Sequence, residues 1–110
     1  MTKTVIDVVG ATVPFTSYED NGLTFFEFDT SMSGPPAPMV NAMSGLQLLD
    51  SAEKRLVMIN MQEPKGLFPK IQDDYEWDVE KIENDNVKLT YRLKGASASN
   101  TDYSSTKCSG

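Results

Sequence analysis

Gly34-Pro35-Pro36-Ala37-Pro38-Met39 is the stretch on which the reading of the fold turns. An apolar strand pattern, residues 23–29 (LTFFEFD), precedes it, and a helical pattern, residues 39–49, follows it. Proline suits the first turn of a helix, where backbone N–H groups have no intrahelical partner and its fixed φ is already helical. The segment therefore reads as a strand, a tight crossing, and a helix start stiffened by prolines. A helix start gathers orphan N–H groups and partial positive charge, which favour an anion or a thiolate. No thiol stands at the head of this motif, because that position is Pro35.

Toward the N-terminus, residues 4–9 (TVIDVV) are β-branched and end at Gly10, which predicts a strand. The runs 12–18 and 23–29 flank Glu19-Asp20-Asn21-Gly22, and Asn-Gly tolerates the positive φ of a tight turn. They should pair as an antiparallel hairpin, with Pro14 assigning the first run to a sheet edge. Leu23, Phe25, Phe26 and Phe28 put apolar groups on both faces of the second run, so part of each side should be covered.

Toward the C-terminus, the spacing predicts a helix over 36–49. Met39, Val40, Met43, Leu46 and Leu49 fall close to a stripe that would pack on the sheet. Gly45 inside it costs about 1 kcal/mol relative to alanine, which a close approach to a neighbouring strand would explain. Residues 56–61 (LVMINM) are nearly continuous apolar, as in a central strand. Met39, Met43, Met58 and Met61 read as adaptable core filling rather than metal or haem ligands, since no histidine accompanies them.

Residues 65–74 predict a short helix with Leu67, Phe68 and Ile71 toward the sheet. Pro69 is compatible only with its first turn or a kink. Trp77 and Val79 alternate with Glu76, Asp78 and Glu80 in a half-buried strand. Beyond the turn signal Asn84-Asp85-Asn86, Val87, Leu89, Tyr91 and Leu93 give the cleanest period-two pattern. The expected class is α+β: a two-layer α/β sandwich of order β–α–β–α–β–β, both helices on one face, with an added N-terminal strand or hairpin. One domain over residues 1–94 is expected, its core 23–94 and its β extension 1–22. Residues 95–110 are rich in Ser and Thr, and too few apolar groups remain to offset ordering entropy, so a disordered tail is expected there.

This order, with a Pro-x-Pro helix start, resembles the TusA/SirA sulfur-carrier family. In that family the motif is Cys-Pro-x-Pro, and its cysteine carries a persulfide. Here Pro35 stands at the cysteine position, followed by Pro36, Ala37 and Pro38. More closely, the chain resembles a TusA-like branch with proline at that position. Glu63-Pro64-Lys65-Gly66-Leu67-Phe68-Pro69 and Tyr75-Glu76-Trp77-Asp78-Val79 are similar to that branch as well. The resemblance spans roughly residues 23–94. It implies a TusA-like fold and a small non-enzymatic accessory or protein-binding domain, with sulfur or redox metabolism as its setting. Proline cannot accept sulfur, so what the resemblance carries over is a docking surface: Gly34, Pro35, Pro36, Pro38 and Met39.

The formal net charge is −6, concentrated at Asp73, Asp74, Glu76, Asp78, Glu80, Glu83 and Asp85, with Lys81 as the one cation among residues 73–85. This is either a solvated face or a surface for a basic partner protein. It repels nucleic acid, whose binding rests on Lys and Arg displacing counterions. The chain has no histidine, which removes Ser–His and Cys–His catalysis and histidine metal sites. Glu63 reads as a helix-start residue satisfied by nearby N–H groups, ahead of any acid–base role. A single cysteine, Cys108, forms no internal disulfide and no CxxC pair. No cofactor or metal is expected. Two alternatives remain: a sulfur carrier using Cys108 in the tail, or a small-ligand sensory module using an apolar groove beside the methionines. No run approaches the ~18–20 apolar residues of a membrane span, and no leader pattern opens the chain, so a cytoplasmic location is expected.

Overall fold

In the computed structural model, which describes residues 3–95, six strands form one mixed sheet with two helices. The strands are β1 (Thr4–Ile6), β2 (Phe15–Asp20), β3 (Leu23–Asp29), β4 (Lys54–Asn60), β5 (Tyr75–Lys81) and β6 (Val87–Leu93). The helices are α1 (Ala37–Leu46), between β3 and β4, and α2 (Phe68–Ile71), between β4 and β5. Across the sheet the order is β1-β2-β3-β4-β6-β5. Only β3 and β4 are parallel, and α1 is the crossover that joins them. The expectations for the tail beyond Gly95 and for Cys108 lie outside the described residues.

The β2–β3 hairpin closes on Asn21 (φ 53) and Gly22 (φ 81), both left-handed, as a two-residue turn requires. Pro14 lies just ahead of β2, and β1 pairs along the outer side of β2, with Thr4 opposite Ser17 and Ile6 opposite Phe15. The expectation of an edge position for that run is corrected. The proline stays out of the ladder, so nothing prevents a further strand from adding. β1 itself is shorter than expected, because the chain turns after Ile6 toward Gly10 (φ 86).

Alternation along the strands builds one apolar face. Phe26 and Phe28 stand beside Leu56 and Met58, which stand beside Tyr91 and Leu89. Ala42, Leu46 and Leu49 from α1 and its exit turn, and Leu67 and Ile71 around α2, complete a single buried cluster with them. Both helices therefore cover the same face of the sheet. Burial of side chains such as Leu56 and Leu89, each 0% exposed, contributes about 1.5–3 kcal/mol apiece.

The face of α1 that meets the sheet matches the expected stripe at Leu46 and, in the exit turn, at Leu49, which are buried, and at Met39, which packs on the core, but departs from it elsewhere. Its buried residues are Asn41, Ala42, Gly45 and Leu46, whereas Val40 and Met43 are each 38% exposed. Small residues won over large ones because the helix lies very close to β4. A Cβ built on Gly45 would meet Leu56 Cδ1 at 2.7 Å and Phe15 Cε2 at 3.0 Å. The close approach expected at this glycine is thus present, and it is what turns Val40 and Met43 outward. Of the methionines read as core filling, Met58 is buried, Met39 packs at the margin of the core, and Met61 is 49% exposed.

Helix α2 is a single turn. Pro69 sits in that first turn, as required, and Leu67 and Ile71 are buried as expected. Phe68 stacks on Trp77 with ring centroids 4.5 Å apart. Between β5 and β6 the chain reverses through Asn84 and Asp85, each at φ 61, which the Asn-Asp-Asn signal anticipated.

Candidate functional site

Parallel pairing of β3 with β4 brings the carboxyl ends of both strands to one end of the sheet, where the first turn of α1 also lies. That end of a parallel pair is where open α/β sheets tend to hold ligands. The strand ends are locked together there. Thr30, fully buried, donates its backbone N–H to the Ile59 carbonyl at 2.8 Å and its hydroxyl to Asn60 Oδ1 at 3.0 Å. Asn60, 3% exposed, donates from Nδ2 to the Gln62 carbonyl at 2.8 Å, which fixes the course of the following loop.

Above this floor, a turn in which Ala37 N–H donates to the Gly34 carbonyl at 3.1 Å feeds the chain into α1. Pro36 is the N-cap residue, so no side chain caps the helix, and its carbonyl accepts from Val40 N–H at 3.0 Å. Pro38 occupies the first turn. On the facing side, Glu63 and Pro64 carbonyls accept from Lys65 and Leu67 N–H at 2.9 Å each. Gly66 lies against the tip of Met39: a Cβ built on Gly66 would be 3.5 Å from Met39 Cε.

Between these walls runs a groove of about 740 Å³. One wall is Pro35, Pro36, Pro38 and Met39; the other is Met61 to Gly66, including Glu63 and Pro64. Asn60, Val87 and Lys81 reach it from the sheet, and Asp85 from the β5–β6 turn. The positions singled out from the sequence are brought together here, with the exception of Gly34, which is not part of the lining. Its turn delivers Pro35 and Pro36 to the wall.

Glu63 is placed differently from the sequence expectation. It lies in the loop well ahead of α2, whose N-cap residue is Leu67, so it does not serve as a helix-start acceptor. The loop spends residues 63–67 on tight turns before the helix begins, and this leaves the Glu63 side chain on the groove.

Asn60, Met61, Gln62, Pro64, Lys65, Gly66, Lys81, Asp85 and Val87 also line the groove and are not among the binding residues the sequence points to. Met61 to Lys65 could have been reached from the β–α–β order alone, since a crossover places both strand ends together. Lys81 and Asp85 could not, because only the pairing of β6 between β4 and β5 brings the end of β5 and its turn to this end.

The groove is apolar at its proline and methionine walls, with Lys65, Lys81, Glu63 and Asp85 at hand for polar contacts. Among the described residues, no cluster of three or more His, Cys, Asp or Glu is arranged to hold a metal ion. A smaller hollow of about 410 Å³ lies on the outer side of α1, lined by Val8, Val9, Met43, Ser44 and Leu48 with Asp7 and Gln47. No described helix is long and apolar enough to cross a membrane.

Fold and groove together define an α+β protein with a six-stranded mixed sheet, two helices on one face, and a proline-walled groove at the carboxyl ends of its parallel strands. No family model, curated protein or solved structure matches the chain.

Proposed function

We propose that this is a small non-enzymatic accessory domain of TusA-like type that docks a partner protein in the proline-walled groove, with sulfur or redox metabolism as its setting. The observation that carries this reading is the convergence of Pro35, Pro36, Pro38 and Met39 with Glu63 and Pro64 on one groove. The order β3-α1-β4-α2-β5-β6 supports the TusA-like part of it. Proline side chains have little conformational freedom to lose, so a surface built from them pays a small ordering cost when a partner binds. The flanking Lys65, Lys81, Glu63 and Asp85 would set the orientation of the bound segment.

Affinity capture with wild type and with a Met61→Asp variant, followed by intact-mass measurement, tests the proposal. A protein partner retained by the wild type, lost by the variant, and bound equally by Cys108→Ser is the expected result. Equal retention by Met61→Asp would exclude the groove. A persulfide on Cys108 that passes to an acceptor protein would replace docking by sulfur carriage.

A further inference from the structure

The sheet has two unequal edges. β1 offers three residues, whereas β5 runs over seven, Tyr75–Lys81, and no described strand pairs with its outer side. A strand edge of that length presents a row of N–H and C=O groups able to accept another strand. Its side chains are sorted by face. Trp77 and Val79 lie on the helix side, beside Tyr91 and Leu89 of β6, and Val79 is 41% exposed. Glu76, Asp78 and Glu80 lie on the opposite side.

On that side the carboxylates of β5 stand outermost, with cations only on the strands behind them. Arg92 of β6, itself 9% exposed, reaches Asp78 Oδ2 at 2.8 Å and Glu76 Oε1 at 3.5 Å. Arg92 thus serves two carboxylates, Arg55 of β4 lies near enough on the same face to act on Asp78 as well, and Asp78 keeps 64% of its side chain exposed. Lys88 stands opposite Glu80 in the register. Beyond the strand ends, Asp73 and Asp74 on one side and Glu83 and Asp85 on the other extend the negative charge, against Lys81 and Lys94.

We infer that the outer edge of β5 takes an extended segment of a partner protein, alternately basic and apolar, as an added strand. Basic side chains of the incoming strand would lie beside Glu76, Asp78 and Glu80, and its apolar ones beside Trp77 and Val79. Main-chain bonds to the open edge would hold it, and the alternation would select it. A second copy of this chain is a poor occupant. Symmetric antiparallel pairing of two β5 strands about Asp78 sets Asp78 against Asp78 and Glu76 against Glu80, and like charges directly opposite are destabilising.

The full chain, titrated with a short synthetic peptide alternating lysine and valine, provides the test. Trp77 is the only tryptophan, so its fluorescence reports on β5 itself, and amide hydrogen exchange locates the contact. The expected result is saturable binding with slowed exchange in residues 75–81, about tenfold weaker at high salt. Glu80→Lys should weaken it several-fold, and N-methylation of alternate peptide nitrogens should abolish it. Met61→Asp should leave it unchanged, which separates this edge from the groove. Equal binding of a glutamate–valine peptide, binding without slowed exchange in β5, self-association of the chain through β5, or no saturable binding would each overturn the inference.

Discussion

Asn41 Oδ1 accepts a hydrogen bond from the backbone N–H of Thr12 at 2.8 Å, tying the middle of α1 to the chain just ahead of β2. The same oxygen accepts from Val13 N–H at 3.3 Å, and Nδ2 donates to Thr12 Oγ1 and to the Ala37 carbonyl at 2.8 Å each. Both donors and both acceptor sites of the amide are used, and Asn41 is fully buried. Asparagine is a poor residue for a helix interior; here it is retained by the two backbone donors it satisfies.

Asn41→Ala should therefore destabilise the protein by roughly 1–3 kcal/mol, because the N–H groups of exposed Thr12 and half-buried Val13 lose the acceptor that the buried amide supplies. Asn41→Asp keeps the acceptor but loses both donor contacts, and should also be destabilising. Urea unfolding followed through Trp77 fluorescence measures both. A change below about 0.5 kcal/mol for the alanine variant would show that water replaces the amide without loss.

Gly45→Ala presents a contest between two effects. The substitution favours the helix by about 1 kcal/mol, yet its methyl would lie 2.7 Å and 2.9 Å from the two δ-carbons of the fully buried Leu56. Overpacking of this kind costs about 1–3 kcal/mol. Net destabilisation on the order of 1 kcal/mol is expected, and it should be less than additive with Leu56→Ala. Stabilisation by the single substitution would show that α1 can lift from β4 at little cost.

Alkaline stability should depend on Tyr18. Its hydroxyl is pushed up from 10.0 to about 12 by burial first and then by the adjacent Glu27 carboxylate, to which it donates at 3.2 Å. The folded state thus holds this proton more tightly than the unfolded state. The contribution is fully present below pH 10.0 and is lost as pH rises from there to about 12. Tyr18→Phe should flatten this limb of the stability profile, as measured by denaturant unfolding across that range. An unchanged profile would assign the alkaline transition to other groups, such as Tyr75, whose hydroxyl burial also pushes up.

Met61→Asp should leave thermal unfolding nearly unchanged, within roughly 0.5 kcal/mol, since the side chain is 49% exposed and lies at the groove. A large loss of stability would make Met61 a structural residue and disqualify this variant as a probe of docking. Calorimetry or a thermal melt by circular dichroism decides it.

Much of the fold was legible because local chemistry and global fold agree. The Asn21-Gly22 turn, the alternation from Val87 to Leu93, the apolar run that became β4 and the first-turn position of Pro69 each follow from residue type and period alone. The expected stripe of α1 is met at Leu46 and Leu49 but fails at Val40 and Met43 for a physical reason: periodicity counts large apolar residues, whereas contact distance rewards small ones. Ala42 and Gly45 face the sheet because the helix sits within a methyl group's reach of Leu56.

The sequence by itself determined the element order, the proline-led start of α1 and the absence of histidine chemistry. Only tertiary structure decided that β1 covers β2, that Asn41 is a core residue, and that Lys81 and Asp85 join the prolines around one groove. Those outcomes depend on which strands become neighbours. Strand pairing between distant segments is set by the summed packing of the whole sheet, which no local stretch of residues encodes.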